Sequence, residues 1–193
     1  MLNLTRLCIF IDYDNFTISY GSAHHVKRKD IDVWDTLNSN LIKLYAEAFC
    51  NPEFERVVHC GTYVCVGVGE HRLTNKEMQL RKFFKSLDRE QGYIFKYGHR
   101  KPPKQKDGQV QLGEEKGVDA EIICQMLMGA FLDHYDVCIL MSDDSDYLPA
   151  VHRVQDYFNK KVIQAGFHDS RLRNQSYGHI ALEEAGKMLD VSG

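Results

Sequence analysis

Two uninterrupted apolar runs in this chain end abruptly in carboxylates. Leu7-Cys8-Ile9-Phe10-Ile11 leads into Asp12-Tyr13-Asp14-Asn15, and Val137-Cys138-Ile139-Leu140-Met141 leads into Ser142-Asp143-Asp144-Ser145-Asp146. Short runs of this kind suit strands covered on both faces, as in parallel sheets. After the first run, Val33, Trp34, Leu37, Leu41, Leu44, Tyr45 and Ala48 recur at three- and four-residue spacing, which predicts an amphipathic helix. Residues 56–66 read as a second strand. A helix follows from about Asn75, a good cap, through Leu87, and residues 93–97 read as a short third strand. Ile122, Ile123, Met126, Leu127, Ala130 and Phe131 mark a helix that feeds the second acid-tipped strand. Residues 148–158 read as helix, 161–167 as strand and 180–189 as a closing helix. Between them, residues 98–117 are poor in apolar residues and contain Pro102-Pro103, which predicts a long loop. The alternation predicts a three-layer α/β/α sandwich with a mostly parallel central sheet, organised as one domain over residues 1–193.

Composition changes this picture little. With 193 residues, 44% of them hydrophobic and 26% charged, the chain is long enough to bury a sizeable core. No apolar stretch reaches the length of a membrane span, and Met1 to Arg6 lacks the cationic and long apolar regions of a signal peptide, so a cytoplasmic location is expected. The six cysteines include no C-x-x-C pair. Cys8, Cys60, Cys65 and Cys138 fall in apolar strand-like runs and read as buried free thiols. The histidines, His24-His25 included, show no zinc spacing. A net charge of -3 excludes a uniformly basic nucleic-acid binder but allows a local basic surface beside an acidic pocket.

In a parallel sheet the carboxyl ends of neighbouring strands open onto one crevice, so the two acid-tipped strands are expected to meet there. Carboxylates so gathered repel one another unless a cation or protons neutralise them. Asp12 has a competing reading as a helix cap or turn former, and Asp119, at a helix start, has one as a cap. Asp144 and Asp146 are harder to explain structurally, because two acids one residue apart carry a repulsion that a mere loop need not incur. Ser142 and Ser145 stand beside them as hydrogen-bond partners.

Three blocks resemble the NYN domain, a branch of the PIN-like nuclease superfamily that includes the LabA-like proteins. They are Phe10-Ile11-Asp12-Tyr13-Asp14-Asn15, Glu115-Lys116-Gly117-Val118-Asp119, and Ser142-Asp143-Asp144-Ser145-Asp146-Tyr147-Leu148-Pro149. A weaker match is Lys161-Val162-Ile163 followed by Ser170-Arg171-Leu172. The resemblance implies a PIN-like, Rossmann-like fold and a metal-dependent ribonuclease. It implies that Asp12, Asp119, Asp144 and Asp146 surround Mg²⁺ or Mn²⁺, with Asn15 as a polar positioning residue. The chain departs from the family pattern in three places: Asp143 stands where glycine is usual, Gln125 where a further Asp is frequent, and Tyr177 and His179 where an Asp and an aromatic are expected. Glu121, on the same helical face as Gln125, and Asp143 are the candidates to compensate for the missing charge.

Two other classes stay open. Asp12-Tyr13-Asp14 also matches the start of a haloacid-dehalogenase-like phosphatase, with Asp12 as nucleophile and Asp14 as acid, but Asn15-Phe16-Thr17 departs from that spacing. The other is a catalytically weakened RNA-binding or interaction module, for which Gln125 argues. Arg100, Lys101, Lys104, Lys106 and Lys116 are the candidate RNA contacts, since cations must hold an anionic polymer beside carboxylates that repel it; Lys27-Arg28-Lys29 is a further basic stretch. Ordinary solvated surface is their competing reading. Tyr13, Tyr97 and His99 are candidates for base stacking. The expected partner is RNA, single-stranded or structured, with no membrane, and a homodimer stays open.

Overall fold

The computed structural model describes residues 4–26, 33–54, 56–69, 82, 93–101, 104–106, 109–111 and 115–182. All but residue 82 of the expected helix over residues 75–87, most of the expected closing helix, Lys27-Arg28-Lys29 and Pro102-Pro103 lie outside them. The strands are β1 (Thr5–Asp12), β2 (Val57–Gly69), β3 (Tyr93–Arg100), β4 (Lys104–Lys106), β5 (Gln109–Gln111), β6 (Glu115–Lys116), β7 (Val137–Met141), β8 (Lys161–Gly166) and β9 (Gly178–Ala181). The helices are α1 (Tyr13–Ala23), α2 (Val33–Cys50), α3 (Val118–Phe131), α4 (Leu148–Asp156) and α5 (Arg171–Gln175), with a 3₁₀ turn at Ser145–Tyr147.

Seven strands form one sheet in the order β6-β3-β2-β1-β7-β8-β9, parallel throughout except for β6. β1 and β7 lie at its centre and are buried almost along their length, which is why their sequences are apolar without alternation. Period two still decides which face each residue serves. Leu7, Ile9, Ile11, Val137, Ile139 and Met141 join one core with Phe16 and Tyr20 of α1 and Leu37, Leu41 and Leu44 of α2. Cys8, Phe10, Cys138 and Leu140 join the other with Ile122 and Met126 of α3, Val151 and Val154 of α4 and Leu172 of α5. Helices on both sheet faces make the expected three layers. No helix among the described residues is long and apolar enough to cross a membrane.

Several sequence expectations need correction. An unexpected helix, α1, follows β1 with no intervening loop, capped by the Asp12 side chain. β2 and β3 run on to Gly69 and Arg100, beyond their expected ends. Most of the described residues within 98–117, expected as a long loop, are paired: β4 and β5 form a two-stranded antiparallel ribbon, and β6 pairs with the end of β3 through His99 and Lys116. Backbone pairing can order a polar segment that contributes no apolar stripe. Where the closing helix was expected to begin, residues 178–181 form the edge strand β9. Cys8, Cys65 and Cys138 are buried free thiols as expected, but Cys60 is exposed.

Candidate functional site

The order of strands reverses at β1: β2 lies on one side of it and β7 on the other. A crevice forms beyond the carboxyl ends of strands at such a point. The pairing Ile11 to Met141 brings the two apolar runs to an end side by side, so Asp12 and the Ser142 to Asp146 segment emerge together. A third acid arrives from the other side of the sheet. Gly98 on β3 lacks the Cβ that would lie 2.9 Å from the Lys116 carbonyl and 2.5 Å from Val118 Cγ2, so β6 and the start of α3 pack closely against the strand. Gly117, at φ 89°, then turns the chain from β6 into α3 in a conformation that favours glycine. The turn places Asp119 in the first turn of α3, where the helix dipole favours negative charge. Gly117 itself is the N-cap, so Asp119 does not take the capping role that its position allowed.

The result is a cleft of about 180 Å³ lined by Asp12, Asp14, Asn15, Ile18, Lys116, Gly117, Val118, Asp119 and Asp144. A larger cleft, about 520 Å³, lies against β8 and β9 and shares none of these residues. Asp12, Asp119 and Asp144, acids marked by the sequence, therefore line the smaller one. Asp12 is 3% exposed. Its Oδ1 accepts the Asn15 N–H at 3.0 Å, and its Oδ2 accepts the Tyr147 hydroxyl at 2.9 Å. The same hydroxyl lies 3.1 Å from Asp119 Oδ1. Burial pushes the Asp12 carboxyl up to about 6, and the charges of Asp119 and Asp144 add to the rise against the two hydrogen bonds. Burial, with Asp12 and Asp119 nearby, holds the Tyr147 phenol firmly protonated.

The pattern of the NYN domain family matches residues 6–183 of the 193. The chain belongs to the NYN domain family. Comparison with curated proteins gave no match. A crystal structure of a protein of unknown function from Vibrio parahaemolyticus RIMD 2210633 superposes with a TM-score of 0.58 at 20% identity, covering 93% of this chain and 94% of that one, which shows a shared fold.

Within this NYN domain the other expected site residues fall into distinct positions. Asp144 Oδ1 accepts the Asp146 N–H at 2.9 Å, capping the 3₁₀ turn, and its own N–H donates to Ser142 Oγ at 3.1 Å. Ser142 is buried; Ser145 and Asp146 are exposed and do not line the cleft. Asn15 Oδ1 accepts the Asp143 N–H at 3.0 Å and the Ser19 hydroxyl at 3.4 Å, which fixes the orientation of its amide. Asp143 points its carboxylate at β8, accepting Gln164 Nε2 at 3.1 Å and the Phe167 N–H at 3.2 Å. Gln125 Nε2 donates to Glu121 Oε1 at 2.8 Å, while Glu121 faces Lys96 at 3.7 Å. Neither Asp143 nor Glu121 is thus directed into the cleft as a compensating acid. Of the expected cations, Lys116 lines the cleft, and Arg100, Lys101, Lys104 and Lys106 lie on or beside β3 and β4.

Sequence reasoning gave Tyr147 no role and weighed Asp14 only in the phosphatase reading. Tyr147 follows Asp146 in the motif, but nothing in the sequence says that a buried phenol reaches back 135 positions to Asp12. Asp14 is buried, and its Oδ2 accepts the Gly67 N–H at 3.1 Å, which ties α1 to β2. The spacing Asp12-Tyr13-Asp14 was its only signal.

Among the described residues no three His, Cys, Asp or Glu side chains stand close enough together to hold a metal ion. The donor chemistry nonetheless suits a hard divalent cation, because Asp12, Asp119 and Asp144 supply only carboxylate oxygens to one cleft. Two of the three already converge on one hydroxyl.

Proposed function

We propose that this NYN domain is a ribonuclease that hydrolyses RNA phosphodiester bonds with Mg²⁺ or Mn²⁺ held by Asp12, Asp119 and Asp144. The observation that carries this reading is the meeting of three acids from three separate elements in one cleft with Lys116 on its wall. A divalent cation bound there supplies a deprotonated water and offsets charge on the scissile phosphate. The side chains do the rest. Asp12 and Asp144 each commit one oxygen to a backbone N–H, which limits how their carboxylates can turn. Lys116 offers a cation to an approaching phosphate. With its oxygen held by Asp143 and Ser19, Asn15 can present its NH₂ group as a donor. Asp146, next to Asp144 on the 3₁₀ turn, is the remaining acid of the motif; because it is exposed and outside the cleft lining, we leave it out of the proposed metal ligands.

A second reading, an RNA-binding module that does not cleave, is favoured by the spacing of the cleft acids, no three of which among the described residues stand close enough together to hold a metal ion, and by the engagement of Gln125 with Glu121. The phosphatase reading is weakened by Asp14, whose carboxylate is held toward β2 by the Gly67 N–H. Incubation of the purified chain with a labelled single-stranded RNA and Mn²⁺ distinguishes the readings. Cleavage that is abolished by chelation supports the nuclease. Binding without cleavage under any divalent cation supports the second reading and overturns the first.

A further inference from the structure

We infer that Tyr147 is a positioning residue whose buried hydroxyl sets the affinity of the acid cleft for its divalent cation. The inference rests on the nuclease reading above and deepens it. Tyr147 is fully buried at the end of the 3₁₀ turn that begins with Ser145, and its ring packs in the core formed with α3 and α4. Its hydroxyl stands 2.9 Å from Asp12 Oδ2 and 3.1 Å from Asp119 Oδ1. These two acids come from different elements, the end of β1 and the first turn of α3. The phenol is therefore a brace between them, anchored on the same turn that Asp144 caps.

The single proton of this hydroxyl serves one carboxylate at a time, so the other faces an oxygen lone pair. Two acids brought to one neutral hydroxyl present their oxygens to the same small region, where a cation is favoured. The brace fixes the separation and facing of the two carboxylates before the cation arrives, so that less ordering remains to be done on binding. A hydrogen bond from outside to a metal-ligating carboxylate also orients it, and loss of such a partner costs about 10- to 100-fold in metal affinity. Phenylalanine at this position keeps the buried ring and removes only the oxygen.

The test titrates Mn²⁺ calorimetrically into the full chain and into Tyr147→Phe, with Asp144→Asn as the control, and follows RNA cleavage against Mn²⁺ concentration. The expected result is Mn²⁺ affinity about 10- to 100-fold weaker in Tyr147→Phe, with the cleavage rate returning toward that of the parent as Mn²⁺ is raised. A purely structural role would lower the rate at every Mn²⁺ concentration. Asp144→Asn should not recover. Equal or tighter Mn²⁺ binding by Tyr147→Phe overturns the role of Tyr147 while leaving the nuclease reading intact. Failure of the parent itself to take up Mn²⁺ overturns the nuclease reading and this inference together. Should the variant not fold, crystals of the parent grown with Mn²⁺ decide: a hydroxyl still within hydrogen-bond distance of Asp12 or Asp119 supports the brace, and one displaced from both overturns it.

Discussion

The two ends of β1 treat carboxylates in opposite ways. At its start, Arg6 forms a fork with Asp136, Nε to Oδ2 at 3.0 Å and Nη2 to Oδ1 at 2.7 Å, and Nη2 also reaches Asp133 at 2.9 Å. Lys160 joins both acids. Asp136 is held well below the usual carboxylate range, first by its hydrogen bonds to the Arg6 side chain. At the other end, Asp12, Asp119 and Asp144 share a cleft, and Asp12 is pushed up to about 6. Two acids matched by two cations are a staple across β1, β7 and the start of β8. Acids gathered around a neutral phenol oppose the fold, and a cation or proton relieves them. That contrast is what separates the candidate site from ordinary surface charge.

The largest expected effect breaks the functional end alone. Asp144→Asn keeps an oxygen to cap the 3₁₀ turn but removes a charge from the cleft. Mn²⁺-dependent RNA cleavage should fall by more than the roughly 100-fold that loss of a mere orienting partner costs, with an unchanged melting temperature. Wild-type cleavage by this variant would remove Asp144 from the site.

Breaking the paired end should do the reverse. Arg6→Ala leaves Asp133 with Lys160, and Asp136 with Lys160 and the backbone N–H of residue 6, and the loss of the charge-assisted hydrogen bonds, discounted for partial exposure, should cost about 2 kcal/mol. For a chain of this size that lowers the melting temperature by about 4–8 °C. Mn²⁺ affinity should be unaltered, so a parallel loss of metal binding would mean that the two ends are coupled.

The pH dependence of the metal-free chain sharpens the comparison further. Asp12 in the folded chain keeps its proton to a higher pH than the unfolded value of about 3.9, so its contribution to stability falls as pH rises from about 4 to 6 and is level above that. Asp136 has the opposite sign: its stabilisation is present above about pH 4 and is lost as acid protonates the folded group. Asp12→Asn should therefore stabilise the metal-free chain by about 1–3 kcal/mol at pH 7, with no gain at pH 4. Denaturant melts across this range measure it, and a stability gain independent of pH would place the Asp12 effect elsewhere than in its charge.

The smallest effect belongs to the basic ribbon. Neutralising Lys101, Lys104 and Lys106 together should flatten the salt dependence of RNA binding by up to about 0.7 in slope for each single-strand phosphate contact removed. The cleavage rate at saturating RNA should hardly change. An unaltered slope would assign these lysines to solvated surface. A Gln125→Asp variant is expected to weaken α3 instead of adding a ligand, because the new carboxylate would face Glu121 across one helical turn.

The sequence by itself determined the layered architecture, because two-sided burial in a parallel sheet writes itself as unbroken apolar runs and the helices between show a helical period. It also marked the acids that end β1 and β7, since leaving a buried strand in a carboxylate is a local signature. The blocks around Asp12, Asp119 and Asp144 carried the family. Tertiary structure alone decided which acids share a cleft. Asp143 and Asp144 are adjacent in sequence, but the backbone between the end of β7 and the 3₁₀ turn sends the first to β8 and leaves the second in the cleft with Asp12. Asp146 carries the same charge two residues on and remains in solvent. The ribbon within residues 98–117 was hidden because backbone pairing leaves little trace in side-chain pattern. Most remote of all was the tie from Tyr147 to Asp12: hydrogen-bond geometry depends on where two distant segments are brought by the packing of the sheet and α3, and no local spacing encodes it.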